Sequence, residues 1–214
     1  MTGEQETHTD MRKPAPTDAG VHELIRERWS PRAFSGTPIA AHDLTLLLEA
    51  AQWAPSSMNE QPWRFVVADR SRNPEMHARV LSTLVPANVA WAHRAPVLIV
   101  AVAKMAYARN GALNRHAFYD TGAAVVQLAL QATSMGLRIH QMGGFNPEQA
   151  RGALSIPEGY EAVAVLAIGY PGDAGELSEE LRARELAPRQ RRPLSETVYN
   201  GVWGQPWSST EKAG

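Results

Sequence analysis

The chain reads RWSPRAF at residues 28–34 and APSSMNEQPW at residues 54–63. The first segment places two arginines and a serine on one predicted loop. The second places small polar side chains directly after a predicted helix, which Pro55 ends because proline cannot continue a helix. Arginine carries a fixed charge and a rigid fork of N–H donors, so the two segments together suit a flat, anionic ligand that is rich in hydrogen-bonding atoms.

Hydrophobic periodicity around these segments predicts several helices. Leucine and alanine recur at helical spacing through residues 43–54, which predicts a helix with one buried face. The longest helical pattern covers residues 119–135 and is apolar nearly all round, so we expect it in a core or at a subunit interface. Shorter helices are predicted over residues 21–28, from Asn73-Pro74 to about Leu84, and from Pro147 onward, with Asn73 and Asn146 as the expected N-caps of the last two.

Four segments are predicted to be strands, at residues 64–68, 96–103, 137–142 and 162–169. The second and the fourth are continuous apolar runs, which is typical of strands that are buried on both faces. Because helices separate the strands along the chain, the sequence predicts a sheet that is sandwiched between helices in an α+β or α/β fold.

Composition narrows the class of protein. The 214 residues suffice for one domain with a substantial core, and the formal net charge of -1 gives no reason to expect nucleic acid or an anionic membrane as a partner. The absence of cysteine excludes disulfides, thiolate nucleophiles and iron–sulfur clusters. Residues 1–18 lack the apolar stretch of a secretory signal, and no run is long enough to span a bilayer. We therefore expect a flexible tail over residues 1–20 and a cytoplasmic protein.

Two later segments are further candidates for a binding site. QMGG at residues 141–144 follows a predicted strand, and its glycines let backbone approach a flat ring closely. RQRRP at residues 189–193 is suited to binding a phosphate. Each candidate has an ordinary structural explanation: solvated arginines, a turn that ends a helix, or a glycine turn between a strand and a helix. Their combination in one chain favours a binding site.

Other kinds of site are not predicted. The seven histidines show no metal-ligand spacing, so we expect no metal, and we expect His116 and His140 at the surface or an interface. The chain also lacks the G-x-S-x-G elbow of hydrolases, the phosphate loop of nucleotide triphosphatases and the G-x-G-x-x-G fingerprint of a tightly held dinucleotide.

In order and spacing, these segments resemble the FMN-dependent nitroreductase family, from about Glu23 to Gly204. The resemblance implies a three-layer α+β fold with a central mixed or antiparallel sheet, and an intertwined homodimer with two FMN sites at the subunit interface. The domain would cover residues 21–214, with residues 193–214 packing on the partner. The implied FMN contacts from one subunit are Arg28, Trp29, Ser30 and Arg32, with Arg189 and Arg191 on the phosphate and Gln141, Met142, Gly143 and Gly144 near the ring. The other subunit would contribute Pro55, Ser56, Ser57 and Asn59.

The same resemblance implies an activity. NAD(P)H would reduce FMN, with Arg32 stabilising the negative charge at N1 and O2 of the ring, and a nitroaromatic, quinone or similar electron-poor acceptor would then be reduced in a ping-pong reaction. Trp29 and Met58 depart from the usual residues of the family, and we expect them to narrow the substrate pocket. Three alternatives stay open: a flavin-dependent dehydrogenase that acts on a specific small metabolite, a flavin-binding module without turnover, and a non-flavin α/β protein whose arginines lie at the surface.

Overall fold

A computed structural model describes residues 12–17 and 19–207 of the chain. These residues form seven α-helices, four strands and three short 3₁₀ turns. In chain order the helices and strands are α1 (Glu23–Glu27), α2 (Ala41–Gln52), β1 (Trp63–Asp69), α3 (Pro74–Leu81), α4 (Pro86–Ala92), β2 (Val97–Lys104), α5 (Ala117–Ser134), β3 (Arg138–Met142), α6 (Pro147–Leu154), β4 (Tyr160–Gly169) and α7 (Glu179–Leu186).

The four strands form one sheet in the order β1-β2-β4-β3, and every neighbouring pair is antiparallel. The α+β class is therefore confirmed, and of the two sheet types expected the antiparallel one is present. β2 and β4 are the central strands, while β1 and β3 form the two edges. Consequently the ends of β1 and β3 lie on opposite sides of the domain, which matters for the candidate site.

Side chains of β2 alternate between two hydrophobic clusters, one on each face of the sheet. Val97 and Ile99 pack with leucines and alanines of α2 and α5. Leu98 and Val100 pack on the other face with residues of α3, α4 and α6. Because successive residues of a strand point to opposite faces, burial on both faces requires an uninterrupted apolar run. The predicted sheet, sandwiched between helices in a three-layer arrangement, is confirmed.

The long helix α5 has a buried side and an exposed apolar side. Ala124 and Leu128 are fully buried against the sheet and α2. On the outer side, Tyr119 is 80% exposed and Val126 is 49% exposed, and they follow one another at helical spacing. The predicted long helix is thus confirmed, and part of its apolar surface is not covered within the protomer.

The predicted helix from Asn73-Pro74 to about Leu84 is wrong in extent. Asn73 does cap it, since its side chain accepts the Met76 N–H, but the helix ends at Leu81. A separate helix, α4, begins at Pro86 and was not predicted. The break follows from tertiary contacts, because the Val85 N–H is donated to the Gly144 carbonyl and proline has no N–H to continue a helix.

Part of the predicted N-terminal tail is hydrogen-bonded to the domain. The Ala15 N–H donates to the Arg26 carbonyl at 2.8 Å, and the Lys13 carbonyl accepts from Arg189 at 3.0 Å. Residues 1–11 and Asp18 of that tail lie outside the described residues, as do residues 208–214 of the segment expected to pack on a partner. Among the described residues, none of the helices combines the length and apolar character that crossing a membrane requires.

Candidate functional site

Residues 28–32, here named the cationic loop, are held by side chains from two other elements. His140 of β3 donates its Nδ1–H to the Pro31 carbonyl at 2.8 Å, and its ring lies 4.5 Å from that of Trp91. On the other side, the carboxylate of Glu185 in α7 accepts the Arg32 N–H at 2.9 Å. The loop is therefore fixed between β3, an edge strand of the sheet, and α7.

Arg28 of this loop lies near two arginines from the C-terminal part of the chain, and we name Arg28, Arg189 and Arg191 the arginine cluster. Burial and then the nearby Arg191 lower the pKa of Arg28. Burial, followed by Arg28 and Arg191, lowers the pKa of Arg189. Mutual repulsion among partly buried guanidinium groups favours a bound anion, which would supply the missing negative charge.

Acidic groups balance only part of this charge. Glu27 is buried and slightly raises the pKa of Arg189, but that effect is smaller than those of the two arginines. The indole N–H of Trp29 is also buried and has no hydrogen-bond partner among the described residues. Trp29 is 4% exposed and Lys13 Nζ lies 5.4 Å from its ring centroid, so the side chain is covered within this protomer, and the expectation that it narrows a substrate pocket stays a prediction.

Residues 55–61, here named the serine loop, are anchored at Ser57. The Ser57 N–H donates to the Asp120 carboxylate at 3.0 Å, and the Ser57 hydroxyl lies 3.1 Å from the Tyr107 hydroxyl. Met58 and Asn59 have φ values of +55°, and φ of Gln61 is +48°. Left-handed backbone at non-glycine residues is unfavourable and persists only where surrounding contacts require it.

The glycines that follow β3 have different surroundings. A Cβ on Gly144 would lie 2.7 Å from Asn88 Nδ2 and 2.9 Å from Val85 Cγ2, so this glycine is required for packing against α4. A Cβ on Gly143 would meet no atom within 4 Å. Gln141 is exposed, whereas the Met142 side chain is 2% exposed and belongs to the core. Of these four residues, Gln141 and Gly143 are exposed and Gly144 is partly exposed.

Within one protomer, the candidate residues form two separate groups. The cationic loop contacts β3, whereas the serine loop precedes β1, and these two edge strands lie about 14 Å apart at three inter-strand spacings. The two groups also lie near opposite ends of α5. Asp120 in the first turn of this helix holds the serine loop. Thr133 in the last turn, about 20 Å further along the helix axis, lines a cavity with Leu24 of α1, the helix that precedes the cationic loop.

Several residues of the site were not found from the sequence. His140, expected at the surface or an interface, is half-buried in the protomer, and burial lowers its pKa to about 4. Glu185 and Asp120 are buried carboxylates that hold the two loops, and no pattern separates them from the exposed acids nearby. Arg182 and Arg184 are exposed, as expected. Among residues 12–17 and 19–207, no three His, Asp or Glu side chains converge in a metal-binding arrangement.

This fold is similar to that of known oxidoreductases. A solved structure described as an oxidoreductase containing FMN aligns with a TM-score of 0.83 at 34% identity, over 89% of this chain and 96% of that chain. A Thermus thermophilus NADH dehydrogenase is 29% identical over 72% of this chain and 88% of its own length. A Rhodospirillum rubrum 5,6-dimethylbenzimidazole synthase is 26% identical over 81% of this chain and 91% of its own length.

The match to a protein family is more extensive than any single motif. The model of the nitroreductase family matches residues 25–170, which include the cationic loop, the serine loop and all four strands. The chain therefore belongs to the nitroreductase family.

Proposed function

We propose that this oxidoreductase binds FMN and uses NAD(P)H to reduce nitroaromatic, quinone or similar electron-poor acceptors in a ping-pong reaction. The main observation behind the proposal is the arginine cluster at the cationic loop. Its positive charge is only partly balanced by the acidic side chains described around it. The structure described as an FMN-containing oxidoreductase, at 34% identity, supports the same cofactor.

The described side chains fit a flavin phosphate. Arg28 and Arg189 are half-buried, which strengthens their interaction with an anion because the surrounding solvent is reduced. Arg191 is exposed, so it closes the cluster toward solvent. The unpartnered indole N–H of Trp29 adds one more donor in the same loop. These groups would hold the phosphate, and Ser30, which accepts a weak hydrogen bond from Arg28 at 3.5 Å, would complete the set.

The ring would lie nearer to Arg32 and Gly143. When bound, FMN supplies the redox chemistry by accepting a hydride from NAD(P)H and passing it to the acceptor. The guanidinium of Arg32, whose side chain is 26% exposed, would stabilise the negative charge that the ring gains at N1 and O2. Gly143 would present backbone to the ring without a side chain in the way. No side-chain general base is required for this reaction.

A second subunit would bring the serine loop to the same flavin. We propose a homodimer in which the exposed apolar side of α5 packs against its counterpart. Trp53 at the end of α2 is 80% exposed, as is Tyr119 of α5, and large exposed apolar side chains of this kind are typical of a protein interface. Trp203, which is 86% exposed, would cover the partner as part of the C-terminal segment. The cytoplasmic location expected from the sequence stays a prediction.

The first test is the cofactor itself. The purified chain should be yellow, with flavin absorbance of one FMN per chain, and sedimentation should give a dimer. Anaerobic stopped-flow mixing with NADH and then NADPH should bleach the flavin, and a quinone or nitroaromatic acceptor should restore the colour. A colourless protein that does not take up added FMN would contradict the proposal.

A different reaction on the same cofactor is the second candidate. The 5,6-dimethylbenzimidazole synthase of Rhodospirillum rubrum aligns with 81% of this chain, so relatives with this architecture are not restricted to nitro compounds or quinones. A dehydrogenase for a small metabolite would bind FMN and show slow turnover with all the acceptors above, but fast flavin reduction by its own substrate. A flavin-binding module without turnover would show neither reduction by NAD(P)H nor acceptor-dependent reoxidation.

A further inference from the structure

Glu185 is the most buried acid among the described residues, with 1% of its surface exposed. It lies near the end of α7, a helix whose other charged side chains point to solvent, such as Glu180 and Arg184. An isolated buried carboxylate is strongly unfavourable and requires compensating hydrogen bonds and opposite charge. The contacts of this one side chain therefore need an explanation.

The carboxylate of Glu185 is satisfied almost entirely by the cationic loop and the residue after it. The Arg32 N–H lies 2.9 Å from Oε1 and 3.0 Å from Oε2, and the Ala33 N–H lies 3.1 Å from Oε1. The guanidinium of Arg32 is 3.9 Å from Oε2. Lys13 donates to the backbone carbonyl of Glu185, which brings a second cation to this point. One side chain thus holds both the backbone and the charge of Arg32.

We propose that Glu185 is a positioning residue for Arg32, and that its negative charge limits how much positive charge Arg32 presents to the flavin ring. The proposal rests on the proposed function, since Arg32 is the residue assigned to the ring. Two consequences follow from the two kinds of contact. The backbone hydrogen bonds fix where the loop lies, which affects how tightly FMN binds. The charge opposes the field of Arg32, which affects how easily bound FMN is reduced.

The variant Glu185→Gln distinguishes the proposed role from a purely structural one, because a structural role alone would not make the reduction potential of bound FMN more positive. Glutamine keeps the size and one accepting oxygen, but it removes the charge and places an N–H₂ group beside backbone donors. We expect the FMN dissociation constant to rise by about tenfold or more, as removal of a buried partner usually does. We also expect the reduction potential of bound FMN to become more positive, because Arg32 then stabilises the reduced ring more strongly.

The experiment has two control variants, one at another position of α7 and one at residue 185 itself. Glu180→Gln removes an exposed charge from α7 and should leave both the dissociation constant and the potential unchanged. Glu185→Asp keeps the charge and should return the potential toward that of the wild type. Weaker FMN binding of Glu185→Gln with an unchanged or more negative potential would overturn the role as a counter-charge.

Amide hydrogen exchange tests the positioning role in the wild-type protein without FMN, whether or not the Glu185 variants fold. The Arg32 and Ala33 amides should exchange at least about tenfold more slowly than the Ser30 amide, which has no acceptor among the described residues. Equally fast exchange at the three positions would overturn the positioning role. If the wild-type protein does not bind FMN but protects these amides, the proposed function fails while the contact of Glu185 with the loop stands.

Discussion

Asp120, in the first turn of α5, accepts a hydrogen bond of 3.0 Å from the backbone N–H of Ser57. The aspartate is 4% exposed, so this contact is shielded from water. It connects the left-handed serine loop to the helix whose outer side we propose as the dimer interface. The position of the loop is therefore fixed relative to that interface.

The variant Asp120→Ala tests how much the serine loop depends on this contact. It leaves the Ser57 N–H without its acceptor at a shielded site, and we expect the free energy of unfolding to fall by about 1–3 kcal/mol. Urea unfolding of the FMN-free protein measures this loss. Because the loop is also proposed to approach the partner's flavin, FMN affinity should fall as well.

Asp120→Asn is the matched control for this substitution. The amide keeps an accepting oxygen for Ser57 and loses only the negative charge near the N-terminus of α5, which is worth less than about 1 kcal/mol. Equal destabilisation by alanine and asparagine would show that the charge, rather than the hydrogen bond to the loop, is what matters.

The variant Arg28→Gln tests the arginine cluster. Removing one of three mutually repelling charges should leave the ligand-free protein as stable as the wild type or slightly more stable, because the pKa of Arg28 is lowered by burial and by Arg191. FMN affinity should fall by about tenfold to a hundredfold, the usual effect of losing a charged hydrogen bond. Thermal unfolding and fluorescence titration give the two quantities.

Inorganic phosphate is a simpler probe of the same cluster. It should raise the melting temperature of the wild-type protein, and Arg28→Gln should reduce that increase. Arg182→Gln, an exposed arginine of α7, is the control and should respond to phosphate like the wild type. A phosphate effect of the same size in all three proteins would contradict an anion site at the cluster.

A pair of alanine substitutions separates the two glycines that follow β3. Gly144→Ala places a Cβ 2.7 Å from Asn88 Nδ2 and 2.9 Å from Val85 Cγ2, and we expect a loss of about 1–3 kcal/mol in the free energy of unfolding. Gly143→Ala meets no atom within 4 Å, so stability should change by less than about 0.5 kcal/mol. If Gly143 faces the ring, its substitution should nonetheless weaken FMN binding. An unchanged affinity of Gly143→Ala for FMN would show that this glycine does not contact the ring.

The sequence predicted those parts of the fold that depend on local pattern. The apolar run of β2 predicts a strand buried on both faces, and the structure places its alternate residues in two separate clusters. Asn73 and Asn146 were both expected to cap helices, and both accept a backbone N–H in the first turn. These features are decided within a few residues of the chain.

Features that depend on distant contacts were not predictable in the same way. The break between α3 and α4 reflects the bond from Val85 to Gly144, two residues far apart in sequence. Glu185 resembles any other acid in an arginine-rich helix until α7 is packed against the cationic loop. The candidate binding residues were recognised by type, but their division into two groups at opposite sheet edges requires the strand order.

His140 predicts a specific dependence of stability on pH. Burial lowers its pKa from the usual 6.5 to about 4, against the weaker opposite effect of its bond to Pro31. Between these two values the unfolded chain binds a proton that the folded protein does not, so stability falls as the pH falls. From this group alone we expect a loss of about 2 kcal/mol between pH 7.5 and pH 5.

His140→Asn provides the reference for this measurement, because asparagine can donate to the Pro31 carbonyl but does not titrate. Urea unfolding at pH 7.5 and pH 5 gives the pH effect for each protein, and the wild type should lose about 2 kcal/mol more than the variant. His77, whose pKa is lowered mainly by burial, acts in the same direction but is present in both proteins and cancels in the difference. If the two proteins lose the same stability, His140 is not held neutral by the fold.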